Sequence, residues 1–154
     1  METGKKFMHR AIELSIESAK SKGGPFGCVI VKNNEIIAEG NNQVTANNDP
    51  TAHAEMIAIT QAASALGDWR LTDCTLFVTL EPCPMCAGAI LQARIPHVVF
   101  GALDPKAGSV TSLYQLLEDR RLNHTASVTG GVLAEECGRL LRDFFAAQRK
   151  VGKK

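Results

Sequence analysis

Aromatic residues are scarce in this chain of 154 residues, which has one Trp, one Tyr and six Phe. Hydrophobic residues still make up 45% of the sequence, so we expect a buried core built mainly from aliphatic side chains. No apolar run approaches the length of about 20 residues that a membrane-spanning helix needs, and residues 1–10 contain no apolar signal segment. The sequence therefore predicts a cytoplasmic protein.

A strong net charge is also missing, since the formal value is only +1. The charge is unevenly distributed: residues 1–93 hold seven Lys and Arg against ten Asp and Glu, and residues 94–154 hold ten against six. A cationic end can attract a polyanion, although charge alone favours a solvated tail. The basic residues concerned are Arg120, Arg121, Arg139, Arg142, Arg149, Lys150, Lys153 and Lys154.

Cysteine is present in an odd number, five, and Cys83 and Cys86 form a C-x-x-C pair. In a reducing compartment this pattern indicates metal or redox chemistry rather than a disulfide framework. Cys28 lies in an apolar run, and Cys74 and Cys137 have no visible partners in the sequence. We expect these three thiols to pack in the core.

The chain has no internal repeat or long low-complexity stretch, so residues 1–154 are expected to form one domain. Periodicity and turn signals predict alternating helices and strands, and hence an α/β protein whose helices cover a sheet. We expect a polar loop over 40–51. The helices are expected at 5–20, 53–66, 82–93 and 133–148, with a helical turn at 114–117, and the strands at 28–31, 36–38, 75–80, 98–100 and 126–129.

Two short segments carry the chemistry: His53-Ala54-Glu55, and Pro82-Cys83-Pro84-Met85-Cys86. Each lies where a helix is expected to begin, and the positive end of a helix dipole favours thiolates. One imidazole and two thiolates supply three ligands for zinc, and catalytic zinc sites leave the fourth position for water. We therefore expect His53, Cys83 and Cys86 to bind one zinc ion.

Glu55 is the expected proton carrier. Residues two apart in a helix point about 200° away from each other, so His53 and Glu55 can share one centre only at the helix end. Zinc lowers the pKa of a bound water towards 7, and a neighbouring carboxylate can move its proton to a ring nitrogen and to a departing amine. A structural-zinc RNA-binding module is the alternative, but it would gain nothing from a carboxylate beside the metal.

The pairing of His-x-Glu with Pro-Cys-x-x-Cys resembles the cytidine deaminase superfamily. That resemblance implies a three-layer α/β/α fold with a mixed five-stranded sheet flanked by helices. It also implies one Zn²⁺ per chain, a homodimer, and a hydrolytic enzyme that removes an exocyclic amine from a nucleobase. The resemblance covers nearly the entire chain.

The second half resembles bacterial tRNA adenosine deaminases, in Thr79–Ala89, Val98–Ala102, Asp104-Pro105-Lys106 and Asp143-Phe144-Phe145 among other stretches. This implies that hydroxide generated at the metal attacks C6 of the wobble adenosine in a tRNA anticodon loop and yields inosine. It also implies substrate-binding roles for Asn42 and Ala54. We expect one of the two adjacent phenylalanines to be core. The RNA-binding residues implied are Asp104, Lys106, Asn123, Phe145 and Arg149.

The first half departs from that group. Gly23-Gly24-Pro25-Phe26-Gly27 and Asn48–His53 resemble guanine and free-nucleobase deaminases instead, and Gln43 stands where tRNA enzymes tend to have arginine. We expect Phe26 to line the substrate pocket, so the departure bears on which base is bound. The alternative substrate is therefore guanine or another free nucleobase or nucleoside, but only a polymeric substrate needs the basic C-terminal helix.

Overall fold

The computed structural model describes residues 2–21 and 23–152, so Lys153 and Lys154 of the basic tail lie outside the described residues. Its centre is one five-stranded sheet. The strands are β1 (Gly27–Lys32), β2 (Glu35–Asn41), β3 (Cys74–Leu80), β4 (His97–Ala102) and β5 (Ser127–Thr129). The order across the sheet is β2-β1-β3-β4-β5. Because β1 is antiparallel to β2 and β3 while β3, β4 and β5 run parallel, the sheet is mixed, as expected.

Helices cover both faces of this sheet, as the alternating pattern predicted. They are α1 (Glu2–Lys20), α2 (Val44–Asn47), α3 (Ala54–Leu66), α4 (Pro84–Gln92) and α5 (Ala134–Gly152), with a 3₁₀ turn at Leu116–Glu118. Successive residues of a strand face opposite sides. In β3, Leu76 and Val78 therefore pack with α3 and α4, whereas Phe77 packs in the cluster of α1 and α5.

The core is mainly aliphatic, as the composition predicted. Among the described residues, the buried aromatic side chains are Phe7, Phe77 and Phe100. Cys28, Cys74 and Cys137 are buried thiols, which confirms their expected place in the core. No described helix is long and apolar enough to cross a membrane.

Two glycines bring helices directly against strand backbones. A Cβ on Gly40 of β2 would lie 2.9 Å from the backbone N of Ala58 and closer still to the carbonyl oxygen of Ala54. A Cβ on Gly27 of β1 would likewise collide with the backbone of α1 at Ala11 and Ser15. The Gly40 contact sets the position of the first turn of α3 against the sheet, and the Gly27 contact sets that of α1.

Several boundaries differ from the sequence predictions by a few residues, and three of these differences concern the loops and the site. Four residues of the expected polar loop form α2, which buries no side chain. The helix expected from Pro82 begins at Pro84, because Cys83 is extended and acts as its N-cap. The helical turn expected at 114–117 lies at Leu116–Glu118.

Candidate active site

The expected zinc ligands converge at the N-termini of two helices. His53 is the N-cap of α3 and Cys83 the N-cap of α4, and both have extended backbones, so their side chains reach over the helix ends. His53 Nδ1 lies 3.6 Å from Cys83 Sγ and 3.5 Å from Cys86 Sγ. Tetrahedral zinc with thiolate and imidazole ligands has neighbouring ligand atoms roughly 3.5 Å apart. The ligand atoms of the three side chains are therefore spaced as required to bind one zinc ion.

The two thiols differ in acidity. The pKa of Cys83 is lowered to about 5, chiefly by a hydrogen bond with the Cys86 thiol and further by the backbone N–H groups of Cys86 and Met85. The same hydrogen bond and burial raise the pKa of Cys86. The N-terminus of α4 thus favours a thiolate at Cys83, as its position predicted.

Glu55 lies in the first turn of α3 and is buried. Burial raises its pKa to about 7, and the Cys83 sulfur adds to the rise, while the backbone N–H of Glu55, His53 and Cys86 oppose it. A carboxyl group with such a pKa can accept and donate a proton near neutral pH. Because His53 is the N-cap rather than a helical residue, its side chain and that of Glu55 reach the same pocket.

A cavity of about 210 Å³ opens over these groups, and Phe26, Asn42 and Ala54 line it together with His53 and Glu55. The Asn42 side chain is held by two loops: Nδ2 donates to the carbonyl oxygen of Gly23, before β1, at 2.6 Å, and Oδ1 accepts from the backbone N of Val44 at 3.2 Å. One N–H and one lone pair of this amide remain for a ligand.

The Phe26 ring is placed by a glycine beside it. Gly24 has φ +80°, and a Cβ there would lie 2.5 Å from Phe26 Cε2. Gly24 is therefore required both for its backbone conformation and for the space that the ring occupies.

A wider groove of about 750 Å³ adjoins the cavity, with Phe26, Leu80, Asp104 and Ala107 lining both. Four of the five residues expected to bind RNA line this groove: Asp104, Lys106, Phe145 and Arg149. Asn123 does not line it and lies in the largely exposed loop over 119–125.

Two findings concern the side chains expected at the RNA surface: the exposure of Phe144 and Phe145, and the hydrogen bonds of Asp104. The prediction that Phe144 or Phe145 is core is wrong: Phe145 is 44% exposed and Phe144 half-buried, because the turns of α5 from Arg142 onward are largely solvent-facing. Asp104 Oδ1 also accepts from the backbone N of Lys106 and Ala107, so this side chain shapes its own turn.

The sequence assigned no role to Glu81, which is 2% exposed and lines the same cavity. Its carboxylate accepts hydrogen bonds from backbone N–H groups 23 to 31 residues further along the chain. No local pattern signals such partners, so only the folded structure reveals this contact.

Known proteins share this architecture. A family model described as the cytidine and deoxycytidylate deaminase zinc-binding region matches residues 1–102. A Bacillus subtilis (strain 168) tRNA-specific adenosine deaminase is 50% identical over 148 residues, which cover 96% of this chain and 91% of that protein. A solved structure from a study of A-to-I editing by tRNA:A34 deaminases at the wobble position has a TM-score of 0.85 at 38% identity, covering 88% of this chain and 99% of the other.

A guanine deaminase structure from Bacillus subtilis is also similar, with a TM-score of 0.62 and 52% identity, but it covers only 64% of this chain and 63% of its own. The zinc-binding region of the family model includes all three ligands that converge in the structure. The chain therefore belongs to the cytidine and deoxycytidylate deaminase family.

Proposed function

We propose that this chain catalyses the zinc-dependent hydrolytic deamination of the wobble adenosine to inosine in a tRNA anticodon loop. The observation that carries the proposal is the junction of cavity and groove: Glu55 and the zinc ligands His53 and Cys83 line the cavity, and Lys106, Phe145 and Arg149 line the adjoining groove. Relatives that are about half identical to this chain are tRNA-specific adenosine deaminases.

His53, Cys83 and Cys86 would hold the zinc ion, which would supply a water with its pKa lowered towards 7. Glu55 accepts one proton of that water and passes it to a ring nitrogen of the flipped adenine; it then takes the second proton from the oxygen bonded to C6 and delivers it to the departing amine. The water oxygen becomes bonded to C6, the bond between C6 and its exocyclic nitrogen breaks, and ammonia leaves. Burial of Glu55 keeps its proton affinity high enough for both transfers.

The remaining groups hold the substrate. Asn42 lines the cavity and keeps one N–H and one lone pair that can bond the base edge, while the small side chain of Ala54 leaves room for a flat ring. Single-stranded loops are held by stacking on aromatic rings and by phosphate contacts. The exposed ring of Phe145 suits stacking, and Lys106 and Arg149 suit phosphates.

A second candidate is deamination of free guanine. It is favoured by the Gly23–Gly27 segment, which places Phe26 in the cavity wall, and by the similarity to a guanine deaminase. A free base would fill the cavity but would leave the groove and its cations unused. The groove therefore favours the polymeric substrate.

Product analysis tests the two candidates directly. Zinc-loaded protein is incubated separately with an anticodon stem-loop that carries adenosine at the wobble position and with free guanine. We expect inosine at that one position and unchanged guanine. Xanthine formed from guanine, with the stem-loop unchanged, would overturn the proposal and assign the reaction to the free base.

We also propose that residues 1–154 form one domain that acts as a homodimer in the cytoplasm, where tRNA functions in translation. Exposed apolar side chains at Leu113 and Tyr114 support a surface that a second chain covers. Light scattering coupled to size-exclusion chromatography should give twice the 16.6 kDa chain mass. A mass of one chain at micromolar concentration would contradict the dimer.

A further inference from the structure

Glu81 follows the last residue of β3 and precedes Pro82 and the zinc ligand Cys83. Its buried carboxylate accepts five hydrogen bonds from a single segment. Oε1 accepts from the backbone N of Asp104 at 3.0 Å and from Ser112 Oγ at 2.5 Å. Oε2 accepts from three consecutive backbone N atoms, those of Val110 (3.1 Å), Thr111 (2.7 Å) and Ser112 (2.8 Å).

The segment that donates these bonds is residues 103–112, which we name the substrate loop. The substrate loop follows β4, which ends at Ala102, and it lines both the cavity and the groove. Asp104 and Ala107 line the cavity, and residues 103–107 line the groove. Buried backbone N–H groups require partners, and an ionised carboxylate is a strong acceptor. Removing this acceptor would leave several donors of the substrate loop without a partner.

The substrate loop is also fitted closely around the carboxylate. A Cβ on Gly108 would collide with Glu81 Cδ and Oε1 and would lie 2.5 Å from the carbonyl oxygen of Asp104. The backbone N of Ser109 donates to the carbonyl oxygen of Pro82 at 2.9 Å, and that of Glu81 to the carbonyl oxygen of Ala102. The segment that carries Cys83 is therefore joined to the substrate loop by side-chain and backbone contacts.

We propose that Glu81 is a positioning residue that holds the substrate loop in a fixed position relative to the zinc ligands. Both oxygens of its carboxylate are engaged by the substrate loop, and it acts by fixing the positions of Asp104, Lys106 and Ala107 relative to Cys83. The identity of the polymeric substrate rests on the proposed function, whereas the anchoring of the loop does not.

Two variants test this contact: one changes the carboxylate that accepts the hydrogen bonds, and the other changes the loop that donates them. Glu81→Gln keeps the shape but replaces one oxygen by an NH₂ donor that faces other donors. Gly108→Ala leaves Glu81 in place and pushes the substrate loop away from it. For both, we expect one zinc per chain, a KM for the anticodon stem-loop raised about tenfold or more, and a kcat changed by less than about threefold.

The matched control is Gly138→Ala. It adds the same Cβ in α5, where the nearest atom is the flexible end of Arg142 at 3.2 Å. This variant should keep the wild-type KM within about threefold. Wild-type KM in zinc-loaded Glu81→Gln and Gly108→Ala would overturn the proposal.

Hydrogen exchange of the wild-type protein provides a test without substrate. We expect the backbone amides of 110–112 to exchange at least about a hundredfold more slowly than those of the exposed loop over 119–125. Equal rates would overturn the anchoring even if a variant failed to fold. Absence of wild-type activity on the stem-loop, with these amides protected, would instead reject the proposed function and leave the anchoring intact.

Discussion

Glu55 is the residue that separates an enzyme from a module that merely binds zinc and RNA. Glu55→Gln keeps the shape but cannot accept the proton of the water, and general acid–base catalysis contributes roughly 10²–10⁴ in rate. We expect single-turnover inosine formation to fall by at least about 10² with zinc content and stem-loop affinity unchanged. Glu135→Gln, an exposed change on α5, should leave the rate unaltered. Loss of less than about tenfold in Glu55→Gln would reject the assigned role.

The residues at the centre could be predicted because their spacing is local. His-x-Glu and Cys-x-x-Cys each lie within one helix start, so the sequence shows both the ligand types and the reason that they converge. Glu81 could not be assigned a role in the same way, since four of its five hydrogen-bond partners are backbone amides distant in the chain. Any residue type can supply a backbone amide, so the sequence carries no signal for it.

At the scale of elements, the packing of α3 against β2 determines the positions of His53 and Glu55. Gly40→Ala would drive a methyl group into the backbone of α3 at Ala54. Overpacking of this kind costs about 1–3 kcal/mol, and we expect that loss in urea unfolding together with weaker zinc binding. Gly138→Ala should be neutral or stabilising by up to about 1 kcal/mol, because alanine favours a helix interior. A zinc-loaded Gly40→Ala protein as stable as wild type would contradict this account.

A second contact between elements ties α1 to β2 and depends on pH. Arg10 Nε and Nη2 donate to Glu39 at 2.6 and 2.9 Å, and these hydrogen bonds lower the pKa of Glu39 below its ordinary value of 4.5. The stabilisation is therefore complete above about pH 4.5 and is lost as the pH falls through the lower, folded-state pKa. Since both side chains are about one-third exposed, the pair contributes about 1 kcal/mol or less.

Glu39→Gln tests that contact. We expect lower stability than wild type at pH 7 in urea unfolding, and a difference that shrinks towards zero near pH 3. Glu13→Gln removes a more exposed partner of Arg10, at 3.1 Å, and should cost less. A difference that stays constant from pH 7 to pH 3 would show that the carboxylate charge is not responsible.

Most elements could be predicted because each has either an apolar period or a turn signal at its ends. The helix α2 could not, since its four residues bury no side chain and leave no periodic pattern. Its formation follows from the loop around it: Asn42 Oδ1 accepts from Val44 N, and Gln43 N donates to the carbonyl oxygen of Ala52. Such a turn is stabilised by hydrogen bonds within the loop rather than by burial.

At the scale of the molecule, the two halves of the chain contribute to different parts of the site. Phe26, Asn42, His53 and Glu55 come from the first half and surround the cavity. Lys106, Phe145 and Arg149 come from the second half and line the groove. The residues expected to contact the base therefore come from the first half and those expected to contact RNA from the second, whereas the zinc ligands come from both halves. This explains why the sequence resembles two kinds of deaminase.

If the groove binds the RNA, the affinity for the stem-loop should depend on salt concentration through the cations of the groove and not through the net charge of +1. Each phosphate contact to a single strand contributes about 0.7 to the slope of log K against log salt concentration. Removing the two groove cations in Lys106→Ala/Arg149→Ala should therefore reduce the magnitude of the slope for stem-loop binding by about 1.4, measured by fluorescence anisotropy across a KCl series. Lys5→Ala/Lys20→Ala on α1 changes the net charge equally and should leave the slope as in wild type. If both double variants reduced the slope alike, the overall charge rather than the groove would attract the RNA, and the groove would lose its assigned partner.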